Sequence, residues 1–140
     1  MAWVASGVQT SPSTALAAAI TNGLPLYVPR CSTLPDVIAL NEELLAAVGS
    51  VIEDAGLPAH TVQFGAKGCV TWAPEPIRNY RDYKATDFDI AFAQWIHGIN
   101  RGVLLPPGLD EQWLISVMHS EADAMHYADV FDEFVAELTG

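Results

Sequence analysis

The sequence predicts an α+β domain in which helices cover one face of a small antiparallel sheet. Three amphipathic segments with helix-capping signals begin near Thr33, Thr86 and Ser120. Between them lie short runs rich in β-branched and aromatic residues, which are typical of strands. The predicted order is α, α, β, β, α, β, β, α, and 140 residues are enough for one domain with one core.

The first thirty residues are predicted to be an irregular segment with one short helix. A cluster of Ser, Thr and Pro at residues 10–14 precedes the apolar run Ala15–Ile20, and such a cluster favours a helix start. Asn22 and Gly23 would end this helix, and Pro25 and Pro29 disfavour regular structure after it.

The second predicted helix begins at Thr33, followed by Pro35 and Asp36 in the pattern of a capping box. Gly56 and Pro58 would end it. Apolar residues recur along it at helical spacing and predict one buried face: Val37, Leu40, Leu44, Leu45, Val48, Val51, Ile52 and Ala55.

A β-hairpin is predicted next, from strands at residues 61–64 and 69–72 around the turn Gly65–Gly68. Residues 73–85 have no periodicity and are interpreted as a loop. Two further strands are predicted at 103–105 and 113–117, on either side of Pro106, Pro107 and Gly108.

The two remaining helices carry capping boxes at Thr86 with Asp89 and at Ser120 with Asp123. The buried face predicted for the first is Phe88, Phe92, Trp95, Ile96 and Ile99, with Gly102 at its end. The buried face predicted for the second is Ala124, Tyr127, Ala128, Phe131, Phe134, Val135 and Leu138.

Composition excludes some partners. The net charge is −11 with only six Lys and Arg residues, so nucleic acid and anionic membranes would be repelled. No basic signal region or long apolar run is present, which predicts a cytoplasmic protein with its two cysteines reduced. A hydrophobic fraction of 51% suggests that some apolar surface belongs to an interface.

Three groups of residues have both a functional and a structural interpretation. His119 and His126 flank Glu121 and Asp123, but these acids are also ordinary first-turn residues of a capped helix, and we expect no metal. Asp110 and Glu111 form either a solvated turn or a functional loop. The cluster at Thr10 is either a plain cap or a phosphate site at a helix start.

The stretch from Gly102 to Asp123, GVLLPPGLDEQWLISVMHSEAD, resembles the C-terminal region of class III aminotransferases, and glutamate-1-semialdehyde aminomutase in particular. The family pattern is roughly G-V-x-L-x-P-S-x-x-E-x-x-F-x-S-x-A-H-[ST]-x-x-D, and its spacing matches without a gap. Residues 79–83 and 92–101 are also similar to this family, and Gln9-Thr10 with Leu16-Ala17 keeps the spacing of its phosphate-binding Thr motif.

The resemblance implies the small domain of the pyridoxal 5'-phosphate (PLP)-dependent aminotransferase fold at residues 31–140, with residues 1–30 as a remnant of the large domain. It implies PLP as cofactor, Thr10 as a ligand of its phosphate, Glu111 as a substrate-binding acid, and a small amino or keto substrate. The family's Schiff-base lysine lies upstream of the Thr motif and has no counterpart here. The chain alone is therefore expected to be inactive, with a homodimer partner or the missing large domain as its complement.

Two alternatives remain open at this stage. The chain could be a non-catalytic binding or dimerisation module derived from the same domain. Alternatively, Lys67 or Lys84 could have taken over the bond to the cofactor, although a lysine in a Gly-flanked turn lacks the burial that would depress its pKa.

Overall fold

Four helices and three strands follow one another along residues 33–106 and 112–140, the parts that this computed structural model describes. In chain order they are α1 (Leu34–Asp54), β1 (His60–Phe64), β2 (Lys67–Thr71), α2 (Tyr80–Tyr83), α3 (Phe88–Asn100), β3 (Trp113–Leu114) and α4 (Glu121–Thr139).

The sheet is antiparallel, with the strand order β1-β2-β3. Thr61 lies opposite Val70 in the hairpin, and Gly68 lies opposite Trp113 at the second pairing. Gly65, at a φ of 59°, starts the two-residue turn, because this left-handed conformation carries little cost for glycine. The predicted hairpin is thus confirmed, with a turn that is two residues shorter than expected.

The two long helices begin at the predicted caps. The Thr33 side chain accepts from the Asp36 N–H while Asp36 accepts from the Thr33 N–H, and Ser120 and Asp123 repeat this arrangement at α4. Each pair satisfies two backbone N–H groups that the helix itself leaves without partners. Gly56, at a φ of 61°, follows α1, as the sequence predicts.

The core lies between these helices and one face of the sheet. α1 packs on α4 and on the hairpin, while α3 packs on the other side of α4. Phe131, Leu40, Leu44 and Val48 are its most completely buried apolar side chains. The predicted fold class, an α+β domain with helices on one face of a small antiparallel sheet, is confirmed.

Several predicted elements differ from the structure. Residues 103–105 form no strand, because Val103 N–H bonds back to Gly98 and so turns the chain against α3. The strand predicted at 113–117 ends at Leu114, and the loop predicted at 73–85 contains the short helix α2, which Asn79 caps. The cap of α3 is Asp87 rather than Thr86.

The predicted buried face of α3 is wrong. Phe92, Ile96 and Ile99 are 50%, 40% and 37% exposed, whereas His97 and Gly98 are buried. The inward face is small or polar because α3 lies close to its neighbours: a Cβ at Gly98 would lie 3.5 Å from the Val103 carbonyl oxygen. On α4, Leu138 is likewise exposed rather than buried, while the other predicted core residues are buried.

The short helix predicted at Ala15–Ile20, with all of residues 1–30, lies outside the described residues. Within the described ranges, no helix is long and apolar enough to cross a membrane.

Candidate functional site

A groove of about 350 Å³ lies between the stretch that ends at residue 106 and the stretch that begins at residue 112. Its walls come from residues 102–106, from β3 with Ile115, and from the first turns of α4. Most of the lining is apolar, and its ionisable side chains are His119, Asp123, His126 and Tyr127. We consider this groove the candidate site because Pro106 and Trp113, which lie on either side of Glu111 in the sequence, both line it.

Trp113 fixes one side of the groove. Its indole N–H donates to the Asn41 side-chain oxygen at 2.8 Å, and the Asn41 amide donates to the Gly65 and Lys67 carbonyls at 2.9 and 3.0 Å. Asn41 is fully buried, and these bonds use both of its donors and its acceptor oxygen. One side chain of α1 therefore ties the hairpin turn and β3 together.

Gly68 leaves the space that Trp113 occupies. A Cβ at this position would lie 2.6 to 2.8 Å from three atoms of the indole ring. No real Cβ makes such a contact, so a side chain at Gly68 would displace Trp113. The position of β3 therefore depends on this glycine.

Tyr127 forms the floor of the groove beside Trp113, with ring centroids 5.2 Å apart. Its hydroxyl accepts from the Gln94 amide at 3.0 Å, and the Gln94 oxygen accepts from the Trp72 indole N–H at 2.7 Å. Burial raises the pKa of Tyr127 well above its ordinary value. The phenol therefore stays protonated and neutral throughout the physiological pH range.

A compact turn joins β3 to α4. The Ser116 backbone N–H donates to His119 Nδ1 at 3.0 Å, and the Ser116 hydroxyl lies 3.0 Å from the same nitrogen. Because Nδ1 accepts a backbone N–H, the ring proton of neutral His119 is on Nε2. His119 thus offers the groove a hydrogen-bond donor, and the sequence does not reveal this preference.

The acids at the start of α4 belong to its cap. The Ser120 N–H and hydroxyl both donate to Asp123 at 2.7 Å and hold the pKa of that carboxyl below its ordinary value. His119 and His126 lower it further. In the described parts of the chain, no three His, Cys, Asp or Glu side chains are grouped as metal ligands.

On the opposite side of the groove, side-chain N–H groups donate to main-chain carbonyls. Gly102, at a φ of 85°, reverses the chain after α3, as predicted. The Trp95 indole N–H then donates to the Leu105 carbonyl at 3.3 Å, and His126 Nε2 donates to the Arg101 carbonyl at 3.0 Å. The main chain at Arg101 and Leu105 is therefore held by side-chain donors.

The two residues predicted to bind substrate and cofactor, Glu111 and Thr10, lie outside the described residues. Lys67 is the first residue of β2 rather than part of the turn, and Lys84 caps the end of α2. Both lysines are exposed, and neither lines the groove.

Sequence reasoning missed Asn41, Gln94 and the donor role of His119. Asn41 and Gln94 are polar residues within apolar helical stripes, and such positions are a signal for buried hydrogen-bond networks. The hydrogen-bond partners of these three residues, which identify their roles, are visible only in the folded structure.

No protein-family model matches the sequence. Curated relatives include glutamate-1-semialdehyde 2,1-aminomutase from Symbiobacterium thermophilum, 31% identical over 94 residues, which is 64% of this chain and 22% of the relative. The aminomutase of the same name from Desulfatibacillum aliphaticivorans is 35% identical over 71 residues, 50% of this chain and 16% of the relative.

Solved structures show the same fold. A glutamate-1-semialdehyde aminomutase from Pseudomonas aeruginosa, solved in complex with PMP, matches with a TM-score of 0.70 at 24% identity over 75% of this chain and 23% of its own. A β-phenylalanine aminotransferase from Variovorax paradoxus matches with a TM-score of 0.65 at 16% identity over 72% of this chain and 23% of its own.

The chain thus spans less than a quarter of the length of these relatives. The predicted resemblance to glutamate-1-semialdehyde aminomutase is confirmed in sequence at modest identity, and the fold is that of a part of the class III aminotransferases.

Proposed function

We propose that this chain is the C-terminal small domain of a cytoplasmic class III PLP-dependent enzyme that transfers amino groups, either an aminotransferase or an aminomutase. The observation that supports this most is the agreement of sequence and fold over one part of the relatives: 31% identity over 94 residues in one comparison, and a TM-score of 0.70 in another. Residues 31–140 would form this domain, and residues 1–30 would be the remnant of the large one.

The end of the outer sheet face beside the hairpin turn is uncovered, which supports a domain that completes a larger body. Phe64, Lys67 and Leu114 lie directly opposite one another on the three strands, and all three are exposed, with Phe64 at 84%. Thr61 points to the other face, towards Gly49 of α1. Large apolar side chains that are exposed on one sheet face, here Phe64 and Leu114 on either side of Lys67, are typical of an interface. Leu114 follows Glu111 by three positions in the sequence.

The described residues do not fit PLP by themselves. PLP supplies an electron sink for carbanions when it is held by a lysine and its phosphate is bound. The groove contains no lysine or arginine, and Asp123 would repel a phosphate there. In our proposal Thr10 contributes to phosphate binding only together with the large domain of the intact enzyme, and residues 1–140 alone are inactive.

The role we propose for Glu111 is to bind the amino group of a small amino or keto substrate. Leu105, which precedes this segment, accepts a hydrogen bond from Trp95, and Trp113, which follows it, donates one to Asn41. Fixed flanking residues are what a substrate-positioning loop requires.

A graft tests the proposal. Residues 33–140 would replace the matching part of the Symbiobacterium thermophilum aminomutase, and aminomutase activity would be measured. We expect activity in the graft, and Glu111→Gln should raise KM about tenfold or more because a charged hydrogen bond is worth about 1.5–3 kcal/mol. Asp110→Asn in the same loop is the matched control and should change KM little.

A folded graft without activity would contradict the proposed function, as would a Glu111→Gln graft with unchanged kinetics.

The same uncovered sheet face also supports a second candidate, a non-catalytic module that dimerises or binds a protein partner. Light scattering separates the two: a defined dimer of the full chain that Phe64→Ser abolishes would favour the second candidate.

A further inference from the structure

A second cavity, of about 580 Å³, lies on the outer face of the hairpin, and we call it the hairpin cavity. Four of its lining residues alternate along the two strands on this face, the one that points away from α1: His60, Val62, Cys69 and Thr71. The other wall comes from residues 76–88, the segment that leads into α3. The described residues that line this cavity all differ from those that line the groove.

The chemistry of the lining favours a neutral aromatic ligand. Its apolar and aromatic members are Val62, Val70, Pro76, Ile77, Tyr83 and Phe88. The Tyr83 and Phe88 rings pack edge to face with centroids 5.2 Å apart, and such rings favour an aromatic partner. Among the described residues that line the cavity, none is Asp, Glu, Lys or Arg. A charged ligand would therefore lose its water without gaining a counter-charge.

His60 contributes an unused hydrogen-bond acceptor to this cavity. Its Nδ1 lies 2.8 Å from the Ala73 carbonyl, which can only accept, so Nδ1 carries the proton of the neutral ring and donates. Nε2 is then an acceptor, and it is buried without a hydrogen-bond partner among the described residues. Since buried polar atoms are normally paired, this atom favours a ligand with an N–H or O–H donor.

The Thr86 hydroxyl is a second buried group of the wall that has no partner in the described parts of the chain. The sequence suggests Thr86 as the cap of α3, but Asp87 takes that role and leaves the hydroxyl unused. Solvent does not reach this hydroxyl or His60 Nε2, so a ligand must displace part of the wall to contact them. The wall includes Tyr83 of α2, a four-residue helix whose residues are all exposed or half-buried, and such an element opens at little cost.

We propose that the hairpin cavity binds a small, neutral aromatic molecule whose N–H or O–H group donates to His60 Nε2. Indoles and phenols belong to this chemical class. The cavity volume lies within the range of small-molecule sites, about 300–1,000 Å³. This site is separate from the groove and does not depend on the proposed catalytic role.

Titration of the full chain with indole, followed through the ring nitrogens of its histidines by NMR, tests the site. N-methylindole is the matched ligand, because it keeps the ring system but puts a methyl group in place of the donor. We expect a Kd of about 1 mM or lower for indole and binding of N-methylindole that is weaker by about tenfold or more. The His60 Nε2 resonance should shift on binding, and the resonances of His126, which lines the groove, should not.

Two substitutions locate the bound indole. Val62→Trp would bring an indole ring of the protein itself to the cavity, and an exposed strand position tolerates Trp. Val117→Trp is the matched control, because Val62 and Val117 are both 45% exposed and Val117 does not line the cavity. Val62→Trp should weaken indole binding by about tenfold or more, and Val117→Trp by less than about twofold.

Four results would each overturn the proposal. They are equal affinity for indole and N-methylindole, an unmoved His60 resonance at saturation, unchanged indole binding by Val62→Trp, and no binding of indole up to its limit of solubility.

Discussion

At the scale of single residues, Asn41 joins three parts of the domain through its side-chain amide. Asn41→Ala leaves the Trp113 indole N–H and the Gly65 and Lys67 carbonyls without this partner. We expect a loss of about 2–4 kcal/mol in the free energy of unfolding, measured by urea denaturation, because the buried Trp113 N–H loses its acceptor and two partly buried carbonyls lose a donor. Gln63→Ala is the control: its amide bonds the same Gly65 carbonyl at the surface and should matter by less than about 1 kcal/mol. Equal effects would contradict the account.

Gly68 gives a second prediction at this scale. Gly68→Ala places a Cβ within 2.8 Å of the Trp113 ring, so we expect a loss of about 1–3 kcal/mol and altered near-ultraviolet circular dichroism from the moved indole. Gly49→Ala, inside α1, meets its first neighbour at 3.9 Å and should be neutral or stabilising by up to about 1 kcal/mol. A stable Gly68→Ala variant with an unchanged spectrum would show that the space at this strand is not needed.

These residues also show the limit of sequence reasoning about the candidate site. The capping residues Thr33, Ser120 and Asp123 are predictable because their partners lie three positions away in sequence. Asn41 and Trp113 are 72 positions apart, and neither has a local feature that names the other. Glu111 and Thr10 were proposed from a family resemblance alone and stay predictions.

At the scale of elements, the cap of α4 has a defined pH dependence. Its two bonds from Ser120 hold the pKa of Asp123 below 3.8, the ordinary value. A lowered folded-state pKa stabilises the fold fully above the unfolded-state value, and this contribution is lost as the pH falls through the folded-state value. Ser120→Ala removes the hydroxyl bond to Asp123 and leaves the backbone bond in place. It should cost about 1 kcal/mol at pH 7 and less below pH ~4, where the carboxylate that accepts the hydroxyl bond is protonated.

Urea denaturation between pH 2 and 7 checks this prediction. Asp132→Asn, on the same helix but away from the cap, serves as the control and should leave the acid limb of the wild-type curve unchanged. A difference between wild type and Ser120→Ala that stays constant down to pH 2 would mean that the ionised Asp123 does not contribute through the Ser120 hydroxyl.

The helix α3 shows why the buried face of an element is harder to predict than its existence. Its position followed from periodicity, with an error of one residue at the cap. Its larger apolar side chains, however, point away from α4, and the inner face uses Ala91, Gln94 and Gly98 for close packing. Periodicity locates the apolar stripe of a helix, but it does not show which face of the helix packs on the rest of the domain.

At the scale of the whole molecule, the fold class followed from capping boxes and alternating patterns that all agreed with one arrangement. The strand predicted at 103–105 failed because Gly102 ends α3 in a Schellman motif, in which the N–H groups of Gly102 and Val103 bond back to Ile99 and Gly98. This local helix end overrides the β-propensity of Val103 and Leu104. The uncovered sheet row of Phe64, Lys67 and Leu114 marks where the domain is expected to meet its complement.

The central claim is that this chain is a folded small domain that cannot hold PLP alone. The most direct test is the intact mass of the full chain after it is mixed with micromolar PLP and reduced with borohydride, with a folded circular dichroism spectrum as the accompanying check. The account predicts no stoichiometric mass gain, because Lys67 and Lys84 are both exposed and neither lies in the groove. A gain of one reduced pyridoxyl group that Lys67→Ala or Lys84→Ala abolishes would contradict it.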